Sequence, residues 1–233
     1  MKVRTILFDL GDTVIRLHPL PDLPPLLAPV LARQAGIALA DALMRAGKIV
    51  EQLGRQMAAN SNAGVTDEPG IEAMLGTLIE AGPEQFVELA REFGKADVSR
   101  FELPATGLER IERFKSLGYR LGIVSNTTTA PELLDEYLGA VGLLPLFDSV
   151  VYSVATGQRK PHAGLYELAL SELSAEAHST VFVGDRVRED VLGPRAVGIR
   201  AVLTHEFRQE SPAGSAPLAV ISRLEELEDV LLA

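Results

Sequence analysis

Four short polar segments hold most of the side chains whose types and spacing could do chemistry. Three of the four directly follow an apolar run. In chain order, the segments are Asp9-Leu10-Gly11-Asp12-Thr13, Ser125-Asn126-Thr127, Arg159-Lys160-Pro161, and Gly184-Asp185 followed by Asp190. Together they supply carboxylates, a hydroxyl, an amide and a fixed cation.

These groups predict phosphoryl-transfer chemistry. Oxygen ligands such as Asp9 and Asp185, with a backbone carbonyl and water, suit an octahedral Mg²⁺ at about 2.1 Å. The carboxylate of Asp9 can attack a phosphoryl group to give an aspartyl-phosphate. Mg²⁺ and Lys160 would neutralise the charge that opposes this attack. Ser125 and Asn126 precede a predicted helix N-terminus, where backbone N–H groups favour an anion.

The polar segments need a scaffold that brings them together. Val3–Phe8 is rich in β-branched and apolar residues, which is typical of a buried strand. After Pro104, helices are predicted near 108–117, 131–141, 163–170 and 187–197, and strands at 120–124, 149–152, 180–183, 199–203 and 218–221, before a terminal amphipathic helix. Repeated βα units predict an α/β fold with a doubly wound parallel sheet. Because ligands bind beyond the carboxyl ends of such strands, we expect the four segments at one edge.

The chain between residues 17 and 103 interrupts this alternation. Prolines 19, 21, 24 and 25 are expected to stiffen a connector. Ala- and Leu-rich helical stretches then run from about residue 30 to 93, with predicted breaks at 60–64 and 67–70. The sequence therefore predicts a core of residues 1–16 and 104–233 and an all-helical insert of residues 17–103.

Composition limits the classes of function. The 233-residue chain has a formal net charge of −10, which argues against general binding to nucleic acid or anionic membranes. It has no cysteine, so thiolate catalysis and thiolate metal sites are excluded. No run approaches the roughly 18 apolar residues of a transmembrane helix. The N-terminal apolar stretch stops at Asp9, too early for a secretory signal. We expect a cytoplasmic protein whose partner is a small phosphorylated molecule.

The four segments, taken in order and in their setting at strand ends, resemble the four motifs of the haloacid dehalogenase superfamily. The resemblance covers residues 1–16 and 104–203, and the insert resembles that superfamily's C1-type helical cap. It implies a Rossmann-like core and a Mg²⁺-dependent, phosphatase-type hydrolase.

The resemblance also implies a role for each matching residue. Asp9 is similar to the family's nucleophile, which is also a metal ligand, and Asp185 to a further metal ligand that Asp190 supports. Lys160 is similar to the charge-neutralising lysine. Ser125 and Asn126 match the phosphate-binding motif.

Position 11 departs from the family pattern. Phosphatases of the family hold a second aspartate there, which gives a backbone carbonyl to the metal and acts as general acid and base. Gly11 can offer the carbonyl but has no side chain, and a general acid or base is typically worth about 100- to 10,000-fold in rate. Asp12 is a candidate substitute, but alternation along a strand would point it away from Asp9. Only a sharply turned loop at Gly11 would bring Asp12 round.

Three other interpretations stay open. A haloacid dehalogenase proper also uses an aspartate nucleophile, but that branch needs no metal. Asp185 after Gly184 favours a metal site and therefore argues against this interpretation. A receiver-type phospho-acceptor module would be about half this length and lack the insert. A non-catalytic family member that binds Mg²⁺, a phosphorylated ligand or a protein partner is compatible with Gly11.

Two further groups of residues have competing explanations. Arg159, Arg186 and Arg188 could form a basic rim for an anionic substrate, although a solvated helix face is the more ordinary explanation. The methionines of the insert, Met44, Met57 and Met74, are predicted to pack between helices rather than to line a substrate entrance.

Overall fold

The centre of the molecule is a six-stranded sheet. The computed structural model describes residues 3–62, 66–79 and 83–232. The strands of the sheet are β1 (Thr5–Phe8), β4 (Arg120–Ser125), β5 (Ser149–Tyr152), β6 (Thr180–Gly184), β7 (Arg200–Thr204) and β8 (Ala219–Ile221). They are all parallel and run in the order β5-β4-β1-β6-β7-β8. The predicted α/β fold with a doubly wound parallel sheet is confirmed.

Both faces of the sheet are buried, because alternate residues of each strand point to opposite sides. On one face Ile6, Phe8 and Ile123 pack in a cluster with Ile111, Phe114 and Leu138. On the other face Leu7, Val124 and Phe182 pack against Leu165, Tyr166 and Ala169. Strands buried on both faces have near-continuous apolar sequences, which is why β1 and β6 are apolar at almost every position.

Ten α-helices lie in the described part of the chain. They are α1 (Leu23–Ala35), α2 (Leu39–Asn62), α3 (Ile71–Leu78), α4 (Pro83–Val98), α5 (Gly107–Ser116), α6 (Pro131–Ala140), α7 (Ser153–Thr156), α8 (Ala163–Glu172), α9 (Gly193–Ala196) and α10 (Leu227–Leu232). The first four belong to the insert and share an apolar cluster of their own, around Leu27, Leu53, Leu75 and Leu89. No single helix of the described ranges is long and apolar enough to cross a membrane, and only the pair 23–35 and 39–59, bent by 119°, passes that test together.

A two-stranded antiparallel ribbon stands where the chain enters and leaves the insert. Its strands are β2 (Arg16–Leu17) and β3 (Phe101–Glu102), and Leu17 pairs with Phe101. The two linkers therefore lie side by side. Domain boundaries at 16/17 and 103/104 stay a proposal.

The expectation of a stiff connector through Pro25 is wrong. Helix α1 begins at Leu23, so Pro24 and Pro25 occupy its first turn. The N–H groups of a first helical turn have no partner within the helix, so proline is tolerated there. Proline-rich sequence marks a helix start in this case.

The predicted breaks within the insert have different outcomes. The break at 60–64 is wrong for 60–62, because α2 continues to Asn62, and residues 63 and 64 lie outside the described residues. The break at 67–70 is confirmed, since these residues are not helical and Gly70 precedes α3.

The helix predicted near 187–197 is also not one α-helix. Residues Val187–Leu192 form a π-helical segment, and α9 follows it. The wider turn accompanies an inward-facing Asp190, which is fully buried and accepts a hydrogen bond from the backbone N–H of Arg186 at 2.9 Å. Single π-helical turns are frequent at functional sites.

Candidate active site

A cavity of about 320 Å³ lies between the carboxyl ends of the strands and the insert. From the core it is lined by Asp9, Gly11, Asp12, Ser125, Asn126, Lys160 and Arg186, among others. From the insert it is lined by Leu20, Met57, Glu68, Met74, Phe93 and Asp97, among others. Three of the four predicted polar segments therefore line one cavity, and the insert covers the strand ends.

Asp9 stands just beyond the end of β1. Its backbone N–H donates to the carbonyl oxygen of Val183 at 2.8 Å, which extends the register of the sheet by one residue. The Asp9 carboxylate is mostly buried and accepts hydrogen bonds from Lys160 Nζ to Oδ1 at 2.6 Å and from Thr13 Oγ1 to Oδ2 at 3.4 Å. The carboxylate is thus held in place from both sides.

Lys160 lies at the base of the cavity and joins two motifs. Its ammonium group donates to Asp9 and also to Asp190 Oδ1, at 2.7 Å, and stands 5.1 Å from the ring centre of Phe182. Burial would lower the pKa of Lys160, but the charges of Asp190 and Asp9 outweigh it and raise that pKa, so the lysine is a permanent cation.

Asn126 positions the lysine. Its Nδ2 donates to the carbonyl oxygen of Lys160 at 3.1 Å, and its Oδ1 accepts the Lys160 backbone N–H at 2.7 Å. Ser125 is buried at the end of β4, and among the described residues no hydrogen bond of its hydroxyl is found. Phosphate binding by Ser125 and Asn126 stays a prediction. The Asn126 amide is already hydrogen-bonded to the backbone of Lys160.

Three buried carboxylates meet beside Lys160. One oxygen each from Asp9, Asp185 and Asp190 lies within 4.8 Å of the others. Burial, together with the charges of Asp9 and Asp190, raises the pKa of Asp185 to about 8. Burial also raises the pKa of Asp190, to about 6, against the opposing effect of Lys160. Lys160 and the more distant Arg208, 3.4 Å from Asp185, bring two positive charges to three carboxylates, so the cluster favours an additional cation.

The two acids from the fourth segment differ in their free oxygens. Both oxygens of Asp190 are engaged, Oδ1 by Lys160 and Oδ2 by the backbone N–H of Arg186. Oδ1 of Asp185 is buried and has no hydrogen-bond partner in the described structure. A buried, unpartnered carboxylate oxygen beside two further acids fits a divalent cation.

Gly184 is required by close packing. A Cβ atom at this position would overlap the side chain of Asp190. The glycine before Asp185 therefore leaves the space that lets Asp190 reach Lys160.

The strand geometry assumed for residues 9–12 is wrong. Strand β1 ends at Phe8, and a tight turn follows in which Gly11 bridges to Ile15. Asp12 has a positive φ of 56°, and its Oδ1 accepts the backbone N–H of Leu17 at 3.0 Å. Asp12 lines the cavity instead of pointing away from it, because the sharply turned loop is present.

Leu17 fills the space beside Gly11. A Cβ on Gly11 would stand 2.7 Å from Cδ1 of Leu17, and the φ of Gly11 lies outside the left-handed region. A side chain at position 11 would therefore contact the end of the Leu17 side chain, which can move. It would cause no backbone strain. Whether the Gly11 carbonyl binds a metal stays a prediction.

Glu68 forms a contact between the insert and the core that the sequence did not indicate. Glu68 is buried, its Oε2 accepts the hydroxyl of Ser153 at 3.1 Å, and its N–H donates to the carbonyl oxygen of Gly157 at 2.9 Å. The same hydroxyl accepts the N–H of Thr127 at 2.8 Å, next to the phosphate-binding motif. The 67–70 segment carried only a turn signal, so nothing in its sequence indicated this role.

Four arginines lie in or near the segments that carry the site, and they differ in their position relative to the cavity. Arg159 and Arg186 line the cavity, whereas Arg188 is not among its lining residues, so two of the three arginines are placed as the less ordinary explanation, a basic rim, requires. Arg208, which sequence reasoning did not single out, approaches Asp185 Oδ2 at 3.4 Å from the loop after β7. Loop residues carry no periodic signal that could have indicated it.

The methionines of the insert divide between the two expectations. Met74 is buried in the apolar cluster of the insert and Met57 packs against it, but both also line the cavity. Met44 is 64% exposed and does neither. The prediction of packing between helices is therefore confirmed for Met74 and Met57, which line the cavity as well, and is wrong for Met44.

Comparison with known proteins agrees with this geometry. A family model for haloacid dehalogenase-like hydrolases matches residues 3–198. A glyceraldehyde 3-phosphate phosphatase of Methanothermobacter thermautotrophicus is 33% identical over 122 residues, which are 50% of this chain and 53% of that protein. The alignments thus span little more than half the length of the first curated relatives.

Two solved structures resemble almost the whole chain. A HAD phosphatase from Thermococcus onnurineus has a TM-score of 0.67 at 25% identity and covers 99% of this chain and 98% of its own. A 2-haloacid dehalogenase from Pseudomonas syringae has a TM-score of 0.68 at 21% identity with the same coverage, which supports the fold alone. With a family match over more than half of its residues, this chain belongs to the haloacid dehalogenase-like hydrolases.

Proposed function

We propose that this protein is a Mg²⁺-dependent phosphatase that hydrolyses a small phosphorylated metabolite through an aspartyl-phosphate on Asp9. The observation that carries the proposal is the arrangement at the cavity base. There the Asp9 carboxylate is hydrogen-bonded to a buried lysine and lies within 4.8 Å of two further acids. The phosphatase name of the Methanothermobacter relative supports the same reaction class.

Asp9 and Asp185 would hold the metal ion, with the backbone carbonyl of Gly11, and Asp190 would support this ligand set. When bound there, a divalent ion would supply positive charge that screens the carboxylates from the phosphate and polarises the phosphoryl group. Because both oxygens of Asp190 are already engaged, we assign it the supporting position.

The protein's own residues supply the remaining steps. Lys160 and Ser125 bind phosphoryl oxygens and orient phosphorus towards Asp9. A bond forms between an Asp9 oxygen and phosphorus while the bond from phosphorus to the ester oxygen breaks. Water then attacks phosphorus, the Asp9 carboxylate leaves, and inorganic phosphate is released.

A weakly active or non-catalytic binding protein is the second candidate, and the Gly11–Leu17 contact favours it. The space beside Gly11 holds the side chain of Leu17 instead of a carboxyl group. Such a protein would bind Mg²⁺ or a phosphorylated ligand with little turnover. A haloacid dehalogenase is less well supported, because a metal-independent reaction leaves the buried Oδ1 of Asp185 without a partner among the described residues.

The test is hydrolysis of an aryl phosphate by the full chain with Mg²⁺ and with a chelator. We expect Mg²⁺-dependent phosphate release that Asp9→Asn abolishes while circular dichroism shows an intact fold. Exposed Asp41→Asn is the matched control and should retain full activity. Full activity in folded Asp9→Asn would disprove the mechanism, and Mg²⁺ binding without turnover would favour the second candidate.

A further inference from the structure

The guanidinium group of Arg159 faces the cavity next to Lys160 and has few partners. Its side chain is 16% exposed. Its Nε stands 3.6 Å from Oε2 of Glu68, which is an ion pair too long for a hydrogen bond. No side-chain hydrogen bond of Arg159 is found to any residue the structure describes. A guanidinium group has five N–H donors, so several are available to a ligand.

The backbone fixes Arg159 in place. Its N–H donates to the carbonyl oxygen of Thr66 at 2.7 Å, and the next N–H, of Lys160, donates to Asn126 at 2.7 Å. Glu68 is itself held by Ser153 and Gly157. The arginine therefore projects from a rigid base, which lowers the entropy lost when it binds a ligand.

Charge balance distinguishes Arg159 from Lys160 and Arg100, whereas Arg186, which also lines the cavity, faces the charges of Asp185 and Glu189. Lys160 is neutralised by Asp9 and Asp190, and Arg100 donates to Asp97 at 2.8 Å. Within the described ranges, Arg159 has only the distant carboxylate of Glu68, and burial raises the pKa of that carboxyl group against the effect of Arg159. A largely buried guanidinium group without hydrogen bonds is unfavourable unless an anion joins it.

We propose that Arg159 binds a second anionic group of the substrate, so that the substrate is a small phosphomonoester that also carries a carboxylate or a second phosphate. This inference rests on the proposed function. The planar guanidinium group can hold either anion through two parallel hydrogen bonds. Met57, Met74 and Phe93 provide an apolar wall for the carbon chain between the two anions. A cavity of about 320 Å³ has room for a short carbon chain or a single ring between the two anions.

The experiment uses the full chain with Mg²⁺ and three aryl phosphates of similar size. They are para-carboxyphenyl phosphate, its neutral amide, and phenylene bisphosphate. We expect Arg159→Met to lower kcat/KM roughly ten- to hundredfold for an ester with a second anion, and less than about threefold for the neutral amide. Arg159→Lys should restore part of the difference, since it keeps the charge but loses the planar fork. Arg91→Met, on an exposed arginine of α4, is the matched control and should change neither rate.

The outcomes separate this inference from the proposed function. A loss confined to the carboxylate ester or to the bisphosphate identifies which anion Arg159 binds. An equal loss on charged and neutral esters, or no loss on any, overturns the inference while leaving the phosphatase proposal intact. If the unmodified protein hydrolyses none of the esters, the proposed function fails, and calorimetric binding in an Asp9→Asn background decides the inference. Equal affinities for the carboxylate ester and the amide would then overturn it.

Discussion

Gly11 and Leu17 determine which leaving groups the proposed reaction can use. No side chain at position 11 can protonate the leaving oxygen, and one carboxylate oxygen of Asp12, Oδ1, accepts the backbone N–H of Leu17. The same positions determine how water would be activated in the second step. The chemistry of this site therefore depends on two neighbouring side chains, one missing and one apolar.

We predict a steep dependence of rate on leaving-group pKa. Acyl phosphates, diphosphates and aryl phosphates with acidic phenols should turn over far better than alkyl phosphates, because the leaving oxygen departs unprotonated. The aspartyl-phosphate should accumulate as a burst, since no base activates water. Steady-state rates over a series of aryl and alkyl phosphates measure the leaving-group dependence. The pre-steady-state release of the alcohol or phenol measures the burst.

Restoring the missing side chain is the matched test. Gly11→Asp combined with Leu17→Ala should raise the rate on alkyl esters, roughly 100-fold or more if the new carboxyl group acts as the acid. Leu17→Ala alone is the control for the space it opens. A shallow leaving-group dependence in the unmodified protein, lost in Asp12→Asn, would show that Asp12 is the acid.

The two acids of the fourth segment should differ in their effect on Mg²⁺ affinity. Asp185 has a free, buried oxygen, whereas both oxygens of Asp190 are engaged. Asp190→Asn is expected to weaken Mg²⁺ binding by about 10- to 100-fold, as for a residue that orients ligands, and Asp185→Asn by more. Calorimetric titration of both variants checks this order, and the reverse order would make Asp190 the direct ligand.

At the scale of elements, the site depends on segments that leave regular structure. The turn after β1 brings Asp12 to the cavity, the π-helical segment after β6 turns Asp190 inward, and the 66–71 segment of the insert docks on the core. In that segment the N–H of Ile71 also donates to the carbonyl oxygen of Thr128, at 3.2 Å. Sheet and helices provide the frame, and these three segments place the groups within it.

Two glycines test this view, one in a close-packed position at the end of β6 and one in an open position within α2. Gly184→Ala should displace Asp190 from Lys160, lower the melting temperature by several degrees and abolish Mg²⁺ binding, because its Cβ overlaps the Asp190 side chain. Gly54→Ala, at an open position within α2, should stabilise the protein by about 0.5–1 kcal/mol. Thermal unfolding with and without Mg²⁺ measures both, and retention of Mg²⁺ binding in Gly184→Ala would refute the packing argument.

For the whole molecule, the buried acid cluster links stability to pH and metal. The pKa of Asp185 is raised from its ordinary 3.8 to about 8. Between these values the folded, metal-free protein keeps a proton that the unfolded chain has released. The free energy of unfolding of the metal-free protein should therefore fall, through this group, as pH rises from about 4 to 8.

Mg²⁺ should oppose this fall of the free energy of unfolding with rising pH, because it binds ionised carboxylates. We expect the melting temperature without metal to be lower at pH 8 than at pH 6, and the increase caused by Mg²⁺ to be larger at pH 8. Asp185→Asn should flatten the metal-free pH dependence and reduce the Mg²⁺ effect. An unchanged pH dependence in Asp185→Asn would mean that another group is responsible.

Much of the frame was predictable because local sequence determines it. Apolar runs buried on both faces mark β1, β4 and β6, and 3.6-residue periodicity marks the flanking helices. The polar segments at strand ends were predictable for the same reason, since parallel strands place their carboxyl ends together. The sequence alone thus predicted the sheet, the helical insert, and the meeting of Asp9 with Lys160 and Asp185.

Only the tertiary structure decided the side-chain contacts and the pKa values of these groups. The contact of Leu17 with Gly11, the ion pair of Glu68 with Arg159 and the approach of Arg208 to Asp185 join residues that are distant or aperiodic in sequence. The turn at Asp12 needs a positive φ, which the presence of an aspartate does not by itself predict. Burial and charge also act over the packed cluster as a whole, so the raised pKa of Asp185 has no local signature in the chain.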